Sequence, residues 1–376
     1  MWVADMDFQT APAIIDALRE RVNHGIFGYA RVPDSYYEAI IHWFAEHHGF
    51  QIQKEWILYT TGVVPAISAI LRALTHAGDR VLVQTPVYNC FFSSIRNLDC
   101  QLSENRLLNK QGRYEIDFED LERKTADPNC KVLLLCNPHN PVGRVWTKEE
   151  LTRVGEICLK NHVIVVSDEI HCDLVLDPSK RHIPFASIND DFLQNSITCI
   201  SPSKSFNLAG LQVANIVVYD SDLRGRIDKA INIHEICDIN PFGIEALIAA
   251  YTHSADWLSD LQHYLLGNYE YLKSFIEKQL GFLQVSPLEA TYLAWVDGSR
   301  TGYTSAELTR MLGSQGVKVN PGTLYGEAGE GFIRINFASP RSILQQALLR
   351  MQSVLCGNEV IFKNKISNVN LSISID

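Results

Sequence analysis

The residue in this sequence with the clearest chemical potential is Lys204, in the serine-rich segment Ser201–Gly210 (SPSKSFNLAG). The apolar run Ile197–Ile200 precedes it, so the lysine is expected at the end of a buried strand. Burying an unpaired ammonium is costly, whereas a lysine in such surroundings can be a nucleophilic amine that forms a Schiff base. With Ser201 and Ser203 suited to holding a phosphate, the segment favours a lysine bonded to pyridoxal 5′-phosphate (PLP). The alternative is a surface lysine in a serine-rich loop.

Two further strand ends carry groups that suit a phosphorylated ring. Gly62, Val63 and Val64 follow the predicted strand at 56–60 and open a helix, where N–H groups and the helix dipole favour an anion. Tyr88 follows the predicted strand at 80–84 and offers an aromatic face to a planar ring. Ligands gather at the carboxyl ends of parallel strands. An ordinary helix start and a packing tyrosine are the alternatives.

The next two strand ends carry an amide and a carboxylate. Asn140 lies in the turn 137–143, where two Asn-Pro pairs and a glycine fix an unusual conformation. Its amide can donate to a phenolate such as O3′ of PLP, unless the turn is purely structural. Asp168 follows the apolar strand 163–167, where a carboxylate needs a cationic partner. A protonated pyridine nitrogen is such a partner and makes the ring an electron sink; the alternative for Asp168 is a helix N-cap.

The same region raises the question of a metal site. Asp168, Glu169, His171 and Asp173 all carry ligand atoms. Metal ligation needs more converging ligands than this local cluster offers, so we expect no metal there.

Arg334 lies inside the apolar strand Phe332–Asn336. A guanidinium in such a strand needs an anionic partner, and its fork fits the α-carboxylate of an amino-acid substrate. An internal salt bridge is the alternative.

The elements that position these residues alternate between apolar strands and helices. This pattern predicts an α/β fold, a three-layer α/β/α arrangement with a mostly parallel sheet covered on both faces. A helix is expected at 148–160. Helices predominate after about Ile227, with one expected at 244–252, and a smaller α+β unit follows, with strands near 291–296 and 332–336. We expect four parts: an N-terminal segment at 1–24 that packs with the small domain, a large domain at 25–255, the small domain at 256–355 and an atypical tail at 356–376.

Composition limits the class of protein. A chain of 376 residues suggests two domains. Its net charge of −10 argues against nucleic acid or an anionic membrane as the main partner. The apolar stretches are too short to span a bilayer, and no signal peptide is recognised. Nine cysteines without zinc-like spacing indicate reduced thiols, which favours a cytoplasmic protein.

Taken in order, these motifs resemble those of the fold-type I PLP enzymes, the aspartate aminotransferase superfamily of class I/II. The sequence is most similar to the MalY/PatB group of cystathionine β-lyases, and the resemblance runs from Met1 to about Leu355. The strings that carry it are Trp2–Phe8 (WVADMDF), Gly28-Tyr29, Thr61–Pro65 (TGVVP), Ser167–Asp173 (SDEIHCD) and Ser201–Gly210.

The resemblance implies a role for each motif residue. Lys204 carries the cofactor and is catalytic, Asp168 binds the pyridine nitrogen, Tyr88 stacks on the ring and Asn140 donates to O3′. The cofactor-binding residues that it implies are Gly62, Val63, Val64, Tyr88, Asn140, Asp168, His171, Ser201, Ser203 and Lys204, with Tyr29 from a neighbouring subunit. The substrate-binding residues are Arg334, Asn140 and Ala4. Composite sites of this kind imply a homodimer.

Two departures from the pattern of typical aminotransferases bear on the reaction. Gln212 stands where many have an arginine against the phosphate, and His171 where they often have a tyrosine near O3′. Both are expected of the lyase branch. Relatives also carry a few dozen residues before the WVADMDF string, so the family's N-terminal segment is expected to be missing from this sequence.

The expected activity is PLP-dependent C–S β-lysis of L-cystathionine, L-cysteine or a related S-conjugate to thiol, pyruvate and ammonia. Two alternatives stay open. One is a class I/II aminotransferase with the same fold and lysine, and the other is a regulatory protein on the same scaffold.

Overall fold

A computed structural model describes residues 1–233 and 238–357. Most of the predicted tail at 356–376 therefore lies outside the described residues. Within those residues, twelve helices, α1 to α12, have these bounds: Pro12–His24, Asp34–His48, Val63–Leu74, Cys90–Arg96, Phe118–Thr125, Lys148–Lys160, Asp190–Gln194, Ser221–Asn232, Pro241–His253, Ala255–Gln279, Ser305–Ser314 and Arg341–Cys356. None of them is both long and apolar enough to cross a membrane.

The strands of the same part of the chain, β1 to β13, have these bounds: Ile57–Thr60, Arg80–Val83, Gln101–Glu104, Leu108–Lys110, Arg113–Glu115, Cys130–Cys136, Ile164–Asp168, Ser196–Ile200, Ala214–Val217, Gln284–Val285, Leu293–Asp297, Asn320–Pro321 and Phe332–Asn336.

Seven strands form the main sheet in the order β1-β9-β8-β7-β6-β2-β3. Strands β3, β2, β6, β7 and β8 run parallel, and β9 is antiparallel to both of its neighbours. The predicted α/β class with a mostly parallel sheet is confirmed. The apolar runs are continuous because helices cover both faces of the sheet.

Strand β6 shows how the two faces are packed. Val132 and Leu134 belong to the cluster that includes residues of α3, α4 and α8. Leu133 and Leu135 belong to the cluster on the other side, which includes residues of α5 and α6. Successive strand residues point to opposite faces, so one strand fills both cores and its carboxyl end is held between the helix layers.

A second sheet, in the order β10-β11-β13-β12, is antiparallel throughout. It lies within the range predicted for the small domain, and the domain boundaries themselves stay a prediction. The start of the chain reaches this sheet, because the N–H of Asn336 donates to the carbonyl of Met1 and that of Asp7 to Ala338.

Candidate active site

The carboxyl ends of β6, β7 and β8 meet at a cavity of about 170 Å³, here called the central cavity. Most of the site residues predicted from the sequence lie in its wall. The lining residues are Ala4, Thr61, Gly62, Val63, Val64, Pro65, Tyr88, Cys136, Asn140, Asp168, Ile170, His171, Ser203, Lys204 and Ala209. Lys204 and Ala4 are 200 positions apart in the chain, so the topology of the fold brings these motifs together.

Lys204 lies in the loop after β8, with its amine pointing into the central cavity. Its Nζ donates to the carbonyl oxygen of Ala4 at 2.6 Å. Burial lowers the pKa of the lysine, and the nearby charge of Arg334 lowers it further, while Asp5 and Asp168 act in the opposite direction. The surroundings thus favour the neutral amine that a nucleophile or a base requires.

Asp168 is the last residue of β7 and is 4% exposed. Burial raises the pKa of its carboxyl to about 7, although the N–H of Ile170 donates to it at 3.2 Å. Within the described residues, no lysine, arginine or histidine forms an ion pair with this carboxylate. A cationic group in the cavity would supply the missing partner, as a protonated ring nitrogen does.

Two side chains offer surfaces for a planar ring. Tyr88 follows β2, and burial is the main reason that its pKa is raised. His171 is buried, and burial lowers its pKa to about 3, with Lys204 and Arg334 contributing in the same direction. The imidazole is therefore neutral, and its Nδ1 has no hydrogen-bond partner among the described residues. A buried polar atom without a partner is expensive, so this atom fits a site whose ligand completes it.

Of the elements predicted to bind the phosphate, the start of α3 and Ser203 line the central cavity, whereas Ser201 does not. Helix α3 begins at Val63, and no side chain of the described residues caps it, so the N–H groups of its first turn lack intrahelical acceptors. The hydroxyl of Ser201 donates to the carbonyl of Val213 at 2.7 Å and accepts from the N–H of Ser203 at 3.1 Å, so it shapes the turn that presents Ser203.

Asn140 is held by the turn after β6. The N–H of His139 donates to the carbonyl of Arg144 across this turn at 2.8 Å. Gly143 takes a φ of +71°, and a Cβ there would lie 2.5 Å from the side chain of Leu288. Only glycine fits, which explains the residue type in this position.

Arg334 contacts Asn140, which lines the central cavity, although Arg334 itself is not among the lining residues. Its Nη1 donates to Oδ1 of Asn140 at 3.1 Å, and its Nη2 to the carbonyl of Trp2 at 2.9 Å. The guanidinium lies over the ring of Tyr325, 4.8 Å from its centroid, and its Nε has no partner within residues 1–233 and 238–357. In the described part of the chain, no carboxylate forms an ion pair with it, in contrast to the internal salt bridge considered from the sequence.

Like Ser201 and Arg334, the predicted site residue Tyr29 does not line the cavity. Tyr29 is fully exposed, which is where a residue must lie if it is to reach a neighbouring subunit. Gln212 is also exposed, in a left-handed turn with φ of 52°, and does not line the cavity. Tyr292 was not among the site residues predicted from the sequence. Its hydroxyl donates to the carbonyl of Ala4 at 2.9 Å, and nothing in an apolar strand pattern singles it out.

Comparisons with known proteins place these features in context. The family model for aminotransferase class I and II matches residues 3–350. The chain is 43% identical to cystathionine beta-lyase PatB of Bacillus subtilis (strain 168), over 94% of this chain and 92% of that protein. It is 34% identical to protein MalY of Escherichia coli (strain K12), over 92% and 88%. The PLP-bound C-S lyase from Staphylococcus hominis has a TM-score of 0.89 at 36% identity, covering 94% of this chain and 90% of that one.

Proposed function

Because the chain belongs to the aminotransferase class I and II family, we propose that it is a PLP-dependent C–S β-lyase. Its substrate is L-cystathionine or a related cysteine S-conjugate, and its products are a thiol, pyruvate and ammonia. The observation that carries this function is the 43% identity to a cystathionine β-lyase along nearly the whole chain. The central cavity of this chain supplies the groups that such a reaction needs.

The residues of the central cavity fit PLP. Lys204 would hold the cofactor covalently, and the carboxylate of Asp168 would pair with its ring nitrogen. Tyr88 would lie against the ring, and the N–H groups that begin α3, with Ser203, would bind the phosphate. When bound, PLP supplies an electron sink for the charge that develops at the substrate Cα.

The substrate α-carboxylate would bind at Arg334. This residue is 3% exposed, has no carboxylate partner among the described residues and already contacts the amide of Asn140. A carboxylate can accept two parallel hydrogen bonds, so it is the anion that best matches the guanidinium of Arg334. Asn140 and Ala4 contact Arg334 and Lys204 respectively, which supports their assignment to substrate binding.

Lys204 would perform the proton transfer. Released from the cofactor by the substrate amine, its Nζ lies in surroundings that favour the neutral base, so it can take the Cα proton. The Cβ–S bond then breaks, and the sulfur leaves with its electron pair and is protonated to the thiol. The three-carbon enamine that is released reacts with water to give pyruvate and ammonia.

We also propose a cytoplasmic homodimer. Tyr29 and the neighbouring Ile26 and Phe27 are all more than half exposed. A contact between copies would cover these side chains and bring Tyr29 to a partner's phosphate site. Each cysteine in the described part is a free thiol, which is typical of a reducing compartment.

The direct test incubates purified, PLP-loaded protein with L-cystathionine and measures pyruvate and free thiol. Both should appear in equal amounts. Lys229→Ala, at an exposed lysine, serves as the matched control for Lys204→Ala. Thiol release that is equally fast in the Lys204→Ala variant would contradict the proposal.

A further inference from the structure

A second cavity lies behind the segment 169–173. Ile170 and His171 face the central cavity, whereas Cys172 and Asp173 line a separate space of about 630 Å³. This space, here called the rear cleft, is also lined by Trp43, His48, His182, Ala255, Leu258 and Gln262. The proposed lyase reaction uses none of these residues.

Three potential metal ligands converge in the rear cleft. The ligand atoms of His48, Cys172 and Asp173 all lie within 4.8 Å of one another. The described residues contain no other group of this kind. Imidazole nitrogen, thiolate and carboxylate oxygen form a mixed donor set that Zn²⁺ accepts in proteins. The four residues considered from the sequence do not converge, because Asp168 and His171 face the central cavity instead.

The pair of His48 and Asp173 requires little adjustment to accept an ion. His48 Nε2 lies 2.7 Å from Asp173 Oδ1. Two ligands on a tetrahedral zinc are separated by roughly 3.3 Å, given bonds of about 2.0–2.2 Å. A shift of about half an ångström would exchange the hydrogen bond for two metal bonds.

Asp173 is already oriented by neighbouring donors. Trp43 Nε1 donates to its Oδ1 at 3.0 Å, and the hydroxyl of Ser205 donates to its Oδ2 at 2.8 Å. Ligating carboxylates in metal sites are held by hydrogen bonds in this way.

His182 gives an independent indication that the rear cleft takes a ligand. Its side chain is 1% exposed and its Nε2 contacts the carboxylate of Glu169 at 2.9 Å, while its Nδ1 has no partner in the described part of the chain. Its ring centroid is 5.3 Å from that of His48. When one imidazole nitrogen donates its proton to a carboxylate, the other nitrogen of the neutral ring can accept a hydrogen bond. Because His182 lies in the wall of the cleft, its Nδ1 can accept one from a ligand there.

We propose that the rear cleft binds one zinc-type divalent cation through His48 Nε2, Cys172 Sγ and Asp173 Oδ1. A water takes the fourth position, with His182 Nδ1 available as its acceptor. Binding displaces the thiol proton of Cys172 to solvent and leaves the imidazole proton of His48 on Nδ1. The carboxylate and the thiolate then balance the two positive charges of the ion. The ion would tie α2 to the segment that carries His171.

The test uses PLP-loaded protein that has been stripped of metal by a chelator and desalted. Zinc chloride is added, and bound zinc is measured by atomic emission after a second desalting step. Wild type should retain one zinc per chain. Cys172→Ser and His48→Gln should each weaken zinc binding by at least about tenfold, since even outer partners of metal ligands account for roughly 10–100-fold in affinity.

Matched controls are available for both variants. Cys158→Ser removes another buried thiol, and His42→Gln removes an exposed imidazole from the same helix as His48. Both controls should bind zinc as wild type does. Less than stoichiometric zinc in wild type, or an equal loss in the controls, overturns the proposal.

A measurement on wild type alone covers the case in which a variant does not fold. Cobalt chloride replaces zinc, and the difference spectrum against the metal-free holoprotein is recorded. A thiolate-to-cobalt band together with tetrahedral visible bands is expected. Cobalt bound without the thiolate band would rule out Cys172 as a ligand and with it the proposed site.

Discussion

The Nζ atom of Lys204 donates a 2.6 Å hydrogen bond to the carbonyl oxygen of Ala4, 200 positions earlier in the chain. The hydroxyl of Tyr292 donates to the same oxygen at 2.9 Å. Side chains of Asn207 and Asn336 bind other carbonyls of residues 3–8. The start of the chain is thereby fixed as one wall of the central cavity, with its backbone against the amine that we assign to catalysis.

Replacement of Lys204 tests that assignment. Lys204→Ala should lower turnover of L-cystathionine by at least about 10²–10⁴-fold, because the base and the covalent attachment of the cofactor are lost together. The visible absorption of bound PLP should change as well. Lys229→Ala should match wild type in both assays. Near-normal turnover in Lys204→Ala would mean that another group removes the Cα proton.

Asp168 should make the stability of PLP-free protein depend on pH. Burial raises the pKa of this acid to about 7 in the folded chain, so the folded state keeps a proton that the unfolded state releases near pH 4. The contribution of Asp168 to the free energy of unfolding is therefore fully present below about pH 4. It is lost as pH rises to about 7, and the total loss is about 4 kcal/mol. Denaturant unfolding of wild type and Asp168→Asn at pH 5 and pH 8 measures the difference.

The variant Asp168→Asn is neutral at both pH values, so it should lack this part of the pH dependence. PLP should also reduce the dependence in wild type, since a ring cation stabilises the ionised carboxylate. If wild type and Asp168→Asn lose the same stability between pH 5 and pH 8, Asp168 is not the group responsible.

Arg334 should act on substrate affinity and leave the cofactor in place. Arg334→Ala should weaken binding of the amino acid by about 2–5 kcal/mol, the usual cost of removing one partner of a buried charge pair. The control is Arg310→Ala, at an exposed arginine of α11. Titration of the PLP absorption with a slow amino-acid inhibitor gives the affinity. A variant that loses PLP but keeps its amino-acid affinity would place the carboxylate site elsewhere.

The local part of this architecture could be predicted from the sequence because each strand end carries its own signal. The predicted strand 332–336 has the same bounds in the structure, and α6 agrees at both ends. The predicted helix at 244–252 begins earlier, at Pro241, because the side chain of Asn240 accepts from the N–H of Gly243 and caps it. The family resemblance, which the comparisons confirm, supplied the residue roles.

The features that the sequence did not reveal depend on contacts between distant residues. The apolar run of β9 has the same pattern in either direction, so its antiparallel orientation could not be predicted. Strand β3 has a single apolar residue among its four and forms because it pairs with β2. His48 and Asp173 are 125 positions apart, and no local spacing predicts their 2.7 Å contact.

Elimination and amino transfer diverge only after the Cα proton has been removed. A sulfur substituent at Cβ leaves readily, so wild type should release pyruvate from L-cystathionine with no 2-oxo acid present. The amino form of the cofactor should not accumulate. His171 stands where many aminotransferases have a tyrosine, and it is neutral because burial lowers its pKa to about 3. Gln212 stands where many have an arginine, so the phosphate site has no arginine from this position. Stopped-flow spectra and pyruvate assays, with and without 2-oxoglutarate, measure the difference. Product that forms only when 2-oxoglutarate is supplied would make the protein an aminotransferase.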